Sequence, residues 1–278
     1  MKTLGNASIG DVVYMRVSGV YTPFRVMHKG RPSNEYDDSF VGCTVLGLDY
    51  NAQPFVTQMV SDPGAGKSTY ANSYLHKALH QIWLPRLDPA MRELVVEVTL
   101  PHRVDTDGSP YSVHCNSQGL PAKVWLPSIE EVAVQSVLYD TGYGEPYVEE
   151  GHPMNYWSAR SSSGYQVWGC TDSQGQDIGW GTRTPSISYG SHRTAPYFYK
   201  ICKDGTAVAA EDNQIAVRPW LVMPDTVCMA DDHYLHLEGS AQIKVDGVWK
   251  EGAVACKHSG VWQEADAVAV RIDGAWKE

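Results

Sequence analysis

Residues 61–69, SDPGAGKST, come closest in this chain to a phosphate-binding loop, because a Gly-containing turn leads into Lys67 and Ser68. Such a loop would hold nucleotide phosphates with backbone N–H groups and a lysine. The pattern requires Gly where this chain has Ser61, and no later apolar strand ends in an aspartate suited to bind magnesium. We therefore interpret Lys67 as a solvated loop residue and Ser68 as a helix cap.

Two histidine groups have the spacing of metal ligands, but each lacks part of its pattern. His76 and His80 are four residues apart on a predicted helix, yet Lys77 stands where the metalloprotease motif has its catalytic Glu. Residues 233–238, HYLHLE, alternate two histidines and an acid within a polar segment. We interpret both groups as ordinary surface or half-buried residues. The sequence thus predicts no metal site and no cofactor.

Catalytic residues are equally hard to find. The nucleophile motif GxSxG is absent, and no Ser, His and Asp set is marked out by its local sequence. Glu130 and Glu131 follow Pro127 and Ser128 at a predicted helix start, where the helix dipole accounts for acidic residues. The sequence therefore predicts a protein that is not an enzyme and has no catalytic residues.

Composition and charge argue against some classes of partner and indicate where the protein is made. The net charge of -10 and the pI near 5.4 argue against a nucleic-acid partner, because phosphate binding needs a basic stripe. No window approaches the roughly 20 apolar residues of a membrane span, and residues 1–10 lack the apolar run of a signal peptide. Six scattered cysteines with no CxxC motif indicate free thiols. We expect synthesis in the cytoplasm and no membrane insertion.

Both strands and a helix are predicted as the elements that would position functional residues. Residues 9–30 alternate like strands and are broken by Ser18 and Gly19, which predicts a hairpin. Residues 68–84 have helical spacing, and residues 123–126 and 216–222 have the composition of strands. Long loops are expected from residue 142 to residue 190. The pattern predicts strands together with at least one helix.

Residues 155–200 combine many aromatic side chains with Ser, Gly and Thr and carry few charges, a composition that recognition loops favour. We expect exposed ligand-binding candidates in the loops at about residues 164–193: Tyr165, Trp168, Trp180, Arg183, Tyr189, His192 and Arg193. The residues that border strands are expected to be framework instead: Trp157, Arg160, Arg218 and Trp220. Each arginine can satisfy several loop carbonyls at once.

The last forty residues contain one short pattern three times: DGVWKE, SGVWQE and DGAWKE. Trp249, Trp262 and Trp276 each follow an Asp-Gly or Ser-Gly pair that favours a tight β turn. Short strands of this kind cannot bury a face alone, so they must pack on something. We predict two domains, residues 1–236 and a β-repeat module at residues 237–278 for docking or oligomerisation through these tryptophans.

Several motifs carry a resemblance to a known family: YANSYLHKALH at residues 70–80, KVWLPSIEEVA at 123–133, YWSARS at 156–161 and IAVRP at 215–219. In this order they resemble a poorly characterised domain family of phage and gut-bacterial proteins. The resemblance implies an α+β core with long loops, similar to C-type lectins and to the formylglycine-generating enzyme. The terminal repeats look like those of phage tail and minor structural proteins.

The resemblance implies a virion structural protein, from the tail, baseplate or particle surface, whose lectin-like domain recognises a host-surface glycan or protein. Other virion proteins would be its partners, and a homo-oligomer is expected. One alternative is a capsid or tail decoration protein that binds no host. A second is an enzyme on the formylglycine-generating-enzyme-like scaffold, although no cysteine pair here matches the catalytic motif of that family.

Overall fold

A computed structural model describes the backbone of residues 2–58, 70–105, 113–115, 119–132, 150–158, 179–187, 194–202, 207–209, 214–236, 241–245, 248–252, 255–258, 261–264, 270–272 and 275–277. Over these ranges the chain is a strand-rich α+β protein with few helices. It divides into two compact units, Met1–Leu235 (unit 1) and His236–Glu278 (unit 2). The division falls next to the boundary expected from the sequence.

The described helices are short: α1 (Tyr74–Ala78), α2 (Pro89–Glu93) and α3 (Asn155–Ser158). The strands of unit 1, including the short one that ends at its boundary, are β1 (Lys2–Thr3), β2 (Val12–Val17), β3 (Val20–Lys29), β4 (Cys43–Leu48), β5 (Phe55–Gln58), β6 (Val98–Leu100), β7 (Arg103–Asp105), β8 (Val113–Cys115), β9 (Leu120–Ala122), β10 (Val124–Trp125), β11 (Trp180–Ile187), β12 (Thr194–Ile201), β13 (Ala207–Ala209), β14 (Gln214–Val217), β15 (Trp220–Pro224), β16 (Cys228–Met229) and β17 (Leu235–His236). Those of unit 2 are β18 (Ala241–Val245), β19 (Val248–Gly252), β20 (Ala255–His258), β21 (Val261–Glu264), β22 (Val270–Ile272) and β23 (Ala275–Lys277).

The first large sheet of unit 1 has the strand order β10-β15-β4-β3-β2, and every neighbouring pair is antiparallel. Its hairpin β2–β3 turns at Ser18 and Gly19, whose φ angles of 52° and 79° both lie in the left-handed region. A two-residue turn of this kind matches the twist of the strands that it joins. The hairpin predicted around these two residues is therefore present.

The second large sheet has the order β13-β12-β11-β14-β5. Its central strand β11 pairs with β12 in the antiparallel sense and with β14 in the parallel sense. Residues 179–184 are all buried, so this part of β11 is covered on both faces. A strand thus stands near the C-terminal end of the region, residues 142–190, that the sequence predicts to be long loops.

The predicted helix at residues 68–84 is broken into short turns where the structure describes it. A 3-10 turn at Tyr70–Asn72 precedes α1, and a π-helical turn at Leu79–Trp83 and a 3-10 turn at Leu84–Arg86 follow it. Ser73 caps α1, because its hydroxyl accepts a hydrogen bond from the His76 N–H at 3.1 Å. None of the described helices is long and apolar enough to cross a membrane.

Candidate functional site

The side chain of Arg183, on β11, is fully buried and forms the centre of a polar network. Its Nη1 donates to Oε2 of Glu131 at 2.5 Å, and its Nη2 donates to Oε1 of Glu131 at 3.0 Å. The two bonds form a bidentate pair, the strongest geometry available to an arginine and a carboxylate. The Glu150 carboxylate lies 3.8 Å from Arg183 Nε. We name Tyr36, Glu131, Glu150 and Arg183 the Arg183 cluster.

Backbone carbonyls accept further hydrogen bonds from the two Nη atoms of the guanidinium. Arg183 Nη1 donates to the Leu126 carbonyl at 3.0 Å, and Nη2 donates to the carbonyls of Pro101 at 3.2 Å and Glu150 at 2.8 Å. A guanidinium offers five N–H donors in a fixed plane, so one side chain can bind several segments at once. Arg183 therefore ties three separate stretches of chain to β11.

Glu131 is held in place by its own local sequence. The Ser128 hydroxyl accepts a hydrogen bond from the Glu131 N–H, and Oε2 of Glu131 accepts one from the Ser128 N–H, both at 3.0 Å. This reciprocal pattern is a capping box. Residues 129–132 form a turn in which Glu131 is fully buried, so its carboxylate binds Arg183 rather than lying at an exposed helix start.

Tyr36 completes the cluster from a distant part of the chain. Its hydroxyl donates to Oε1 of Glu131 at 2.7 Å and accepts from the His152 N–H at 3.1 Å. Gly151, with φ at 127°, makes this approach possible, because a Cβ there would lie 2.5 Å from the Tyr36 Oη. Burial and the Glu131 charge raise the pKa of Tyr36 well above its usual value. Tyr36 therefore stays a neutral donor.

The electrostatics of the cluster are those of a fully buried ion pair. Burial by itself lowers the pKa of Arg183, but the charges of Glu131 and Glu150 outweigh it and raise that pKa above its ordinary value. Taking charges out of water is costly, and only good geometry with further hydrogen bonds offsets that cost. The cluster has both the bidentate geometry and further hydrogen bonds, and these hold the Arg183 cation in its position.

Three members of the cluster lie close in sequence to stretches outside the described residues. Glu131 and Glu150 stand on either side of residues 133–149 in the sequence, and both lie beside Arg183. Arg183 itself is on β11, between residues 159–178 and 188–193 in the sequence.

Three histidines lie near this cluster. The rings of His76 and His80 are 4.4 Å apart between centroids. His80 Nε2 accepts from the Lys123 N–H at 3.3 Å, so its Nδ1, 3.0 Å from the His76 carbonyl, carries the proton. Burial and then the Arg183 charge lower the pKa of His102 to about 4. Burial and then His80 and His102 lower the pKa of His76 to about 4.

The lowered pKa values keep His76 and His102 neutral near pH 7. Because both ring nitrogens of His80 are hydrogen-bonded to backbone, the pair with His76 is not arranged to bind a metal. Among the residues that the structure describes, no three His, Cys, Asp or Glu side chains are grouped so that they could hold an ion.

Two of the expected ligand-binding residues are placed inside the fold. Trp180 and Arg183 have no exposed surface, so the expectation that they lie on an exposed loop is wrong. The physical reason is that β11 is the central strand of its sheet. The other candidates lie outside the described residues: Tyr165, Trp168, Tyr189, His192 and Arg193.

The expected framework residues are buried wherever the structure describes them. Trp157 and Trp220 are 3% and 0% exposed. The guanidinium of Arg218 donates to the carbonyls of Asp49, Tyr50 and Ala52. Arg218 thereby ties the residues after β4 to the junction of β14 and β15. Arg160 lies outside the described residues.

Tryptophans of unit 2 occupy equivalent places in three hairpins. Trp249, Trp262 and Trp276 lie on the second strand of the pairs β18–β19, β20–β21 and β22–β23. The structure describes their backbone register. Their predicted docking role stays a prediction.

The comparison with protein families gives one match. A family described as a domain of unknown function, DUF6273, matches residues 47–225, which is more than half of the chain. The chain belongs to the DUF6273 family. The match includes Glu131, Glu150 and Arg183, whereas Tyr36 and the hairpin β2–β3 precede it. Comparisons with curated proteins and with solved structures gave no match.

Proposed function

We propose that this DUF6273 protein is a structural protein of a phage particle, in the tail, baseplate or particle surface, made in the cytoplasm of the host. Its N-terminal unit is a C-type lectin-like domain that recognises a host-surface glycan or protein, and the proposal includes no catalytic activity. The terminal repeats, which resemble those of phage tail and minor structural proteins, support the particle assignment.

One observation supports recognition most strongly. The buried Arg183 cluster fixes β11, which lies in the sequence between residues 159–178 and 188–193, and these two segments carry the candidate contact residues Tyr165, Trp168 and Tyr189. Binding residues are commonly carried by connecting segments that a rigid scaffold positions. A strand held by a buried ion pair fits the role of the rigid scaffold in such an arrangement.

The contact residues in this proposal are Tyr165, Trp168, Tyr189, His192 and Arg193. Aromatic faces stack on sugar rings, while Arg and His donate hydrogen bonds to hydroxyl groups. Trp180 and Arg183 are excluded from this set because they are buried. Single contacts of this kind are weak, and several copies on one particle would raise the overall affinity.

The test is adsorption of labelled full-length protein to bacterial cells. A deletion of residues 164–193 is unsuitable, because it would remove β11 and the Arg183 side chain. The triple variant Tyr165→Ala, Trp168→Ala and Tyr189→Ala leaves that strand intact. We expect it to adsorb at least about tenfold less well than the wild type, since stacking aromatics contribute most where they are buried by a ligand.

Tyr74→Ala is the matched control, because Tyr74 is an aromatic residue that is 40% exposed and lies on α1. It should adsorb as the wild type does. Equal adsorption by the triple variant would contradict recognition through these residues. A protein that is incorporated into particles but never adsorbs would be a decoration protein.

A further inference from the structure

Unit 2 consists of three hairpins. The pairs β18–β19, β20–β21 and β22–β23 each form a two-stranded antiparallel sheet, and no ladder joins one pair to another among the described strands. A two-stranded hairpin alone is at best marginally stable in water. Each hairpin therefore depends on further packing.

The register adds a feature that the spacing of the tryptophans does not reveal. Trp249 lies directly opposite Lys244, Trp262 opposite Lys257, and Trp276 opposite Arg271. Residues directly opposite each other in an antiparallel pair share one face of the sheet. Each hairpin thus places one cationic residue beside its tryptophan position.

A carboxylate recurs on the same face. Glu251 and Glu264 lie two residues after Trp249 and Trp262 on the same strands, and side chains two apart in a strand share a face. Glu278 has the same place in the third repeat but lies outside the described residues. We name the face with the cation, the tryptophan and the glutamate the Trp face.

The three repeats allow the chain to be compared with itself. The cation, the tryptophan and the glutamate are kept in every repeat. The opposite face keeps apolar residues at two positions, Ile243, Cys256 and Val270 at one and Val248, Val261 and Ala275 at the other, and varies at Val245, His258 and Ile272. An apolar face suits packing within the unit, which leaves the Trp face, with both signs of charge around an aromatic residue, as the face for a partner.

The size of unit 2 indicates what it contacts. Domains near or below about 40 residues usually need disulfides, a metal or oligomerisation to be stable. The unit His236–Glu278 contains one cysteine, Cys256, so a disulfide within it is impossible. A surface that carries equal numbers of cations and anions can pair with an identical surface across a symmetry axis.

We propose that unit 2 associates with unit 2 of a second copy of this chain through the Trp face, with Lys244, Lys257 and Arg271 of one copy facing glutamates of the other. The partner of the proposed particle protein is then a second copy of the same chain. It needs neither host nor particle to be tested, so its failure and the failure of host recognition are distinguishable.

The experiment is charge-swap complementation with the full-length protein, read by light scattering during gel filtration. An acidic variant carries Lys244→Glu and Lys257→Glu, and a basic variant carries Glu251→Lys and Glu264→Lys. Each alone should associate at least about tenfold more weakly than the wild type, because like charges then face each other. An equimolar mixture of the two variants should restore assembly.

The variant with Lys250→Glu and Lys277→Glu is the matched control, since these positions lie on the opposite face of the hairpins. It should assemble as the wild type does. A chain that carries all four swaps separates the alternatives if a single swap impairs folding. Restoration in that chain without restoration in the mixture would place the charge pairs within one hairpin and overturn the proposal, as would a monomeric wild type.

Discussion

Replacing Arg183 by Met should be among the most destabilising single changes in unit 1. The substitution removes five hydrogen bonds, two to Glu131 and three to backbone carbonyls. It also leaves the fully buried Glu131 carboxylate without the cation that pairs with it, and it removes the guanidinium that lies 3.8 Å from Glu150. Breaking a buried pair from one side costs about 3–5 kcal/mol. That loss is a large part of the roughly 5–15 kcal/mol that stabilises an ordinary domain.

The assay is equilibrium unfolding in urea, followed by tryptophan fluorescence and circular dichroism. Arg31→Met is the matched control, because Arg31 pairs with Asp38 at 2.8 Å with side chains 33% and 86% exposed. An exposed pair contributes at most about 1 kcal/mol. A loss of less than about 1 kcal/mol for Arg183→Met would refute the reasoning. If that variant does not fold, Arg183→Lys, which keeps the charge and loses the bidentate geometry, should show an intermediate loss.

Three further predictions follow from described residues. Burial and the Arg183 charge lower the pKa of His102 to about 4, so only the unfolded chain takes up this proton between about pH 6.5 and pH 4. The free energy of unfolding should therefore fall as the pH drops through that window. His102→Asn should reduce this dependence on pH when urea unfolding is measured at several pH values. Gly151→Ala should destabilise the fold by about 1–3 kcal/mol, because its Cβ would lie 2.5 Å from the Tyr36 Oη at a φ of 127°. Removing residues 236–278 should leave unit 1 folded by circular dichroism and monomeric by light scattering.

Each of these has its own check. Burial also lowers the pKa of His76 to about 4, so part of the slope should remain in His102→Asn, and a slope equal to that of the wild type would argue against the buried imidazole of His102 as a cause. Gly30 has a φ of 71° in open space, so Gly30→Ala should cost only the backbone strain of about 1–2 kcal/mol. If Gly151→Ala costs no more than that control, the contact with Tyr36 is irrelevant. Unfolding of the truncated chain would show that the two units depend on each other.

Local features of this fold can be predicted from the sequence, whereas its central contacts cannot. The turn at Ser18 and Gly19 is chosen by residues next to each other, so the hairpin β2–β3 follows from alternation and turn chemistry. Glu131 and Arg183 are 52 residues apart in the sequence, and no pattern in the residues around either of them predicts that they pair. The capping-box spacing of Ser128 and Glu131 is the local signal at this site, and by itself it predicts a helix start rather than a buried ion pair.

The misplacement of Trp180 and Arg183 has a similar cause. Their neighbours in the sequence are rich in Gly, Ser and Thr, which is typical of loops. Strand β11 is covered on both faces, and such a strand lacks the alternation by which half-buried strands are recognised. Burial of an arginine depends on a distant carboxylate, so composition alone favours exposure for it.

The most direct test of the proposed function is electron microscopy of purified phage particles with an antibody to this protein and a gold label. The proposal predicts gold at a fixed place on the tail, baseplate or particle surface of intact particles. Particles that carry no label, while the protein remains free in the lysate, would contradict it.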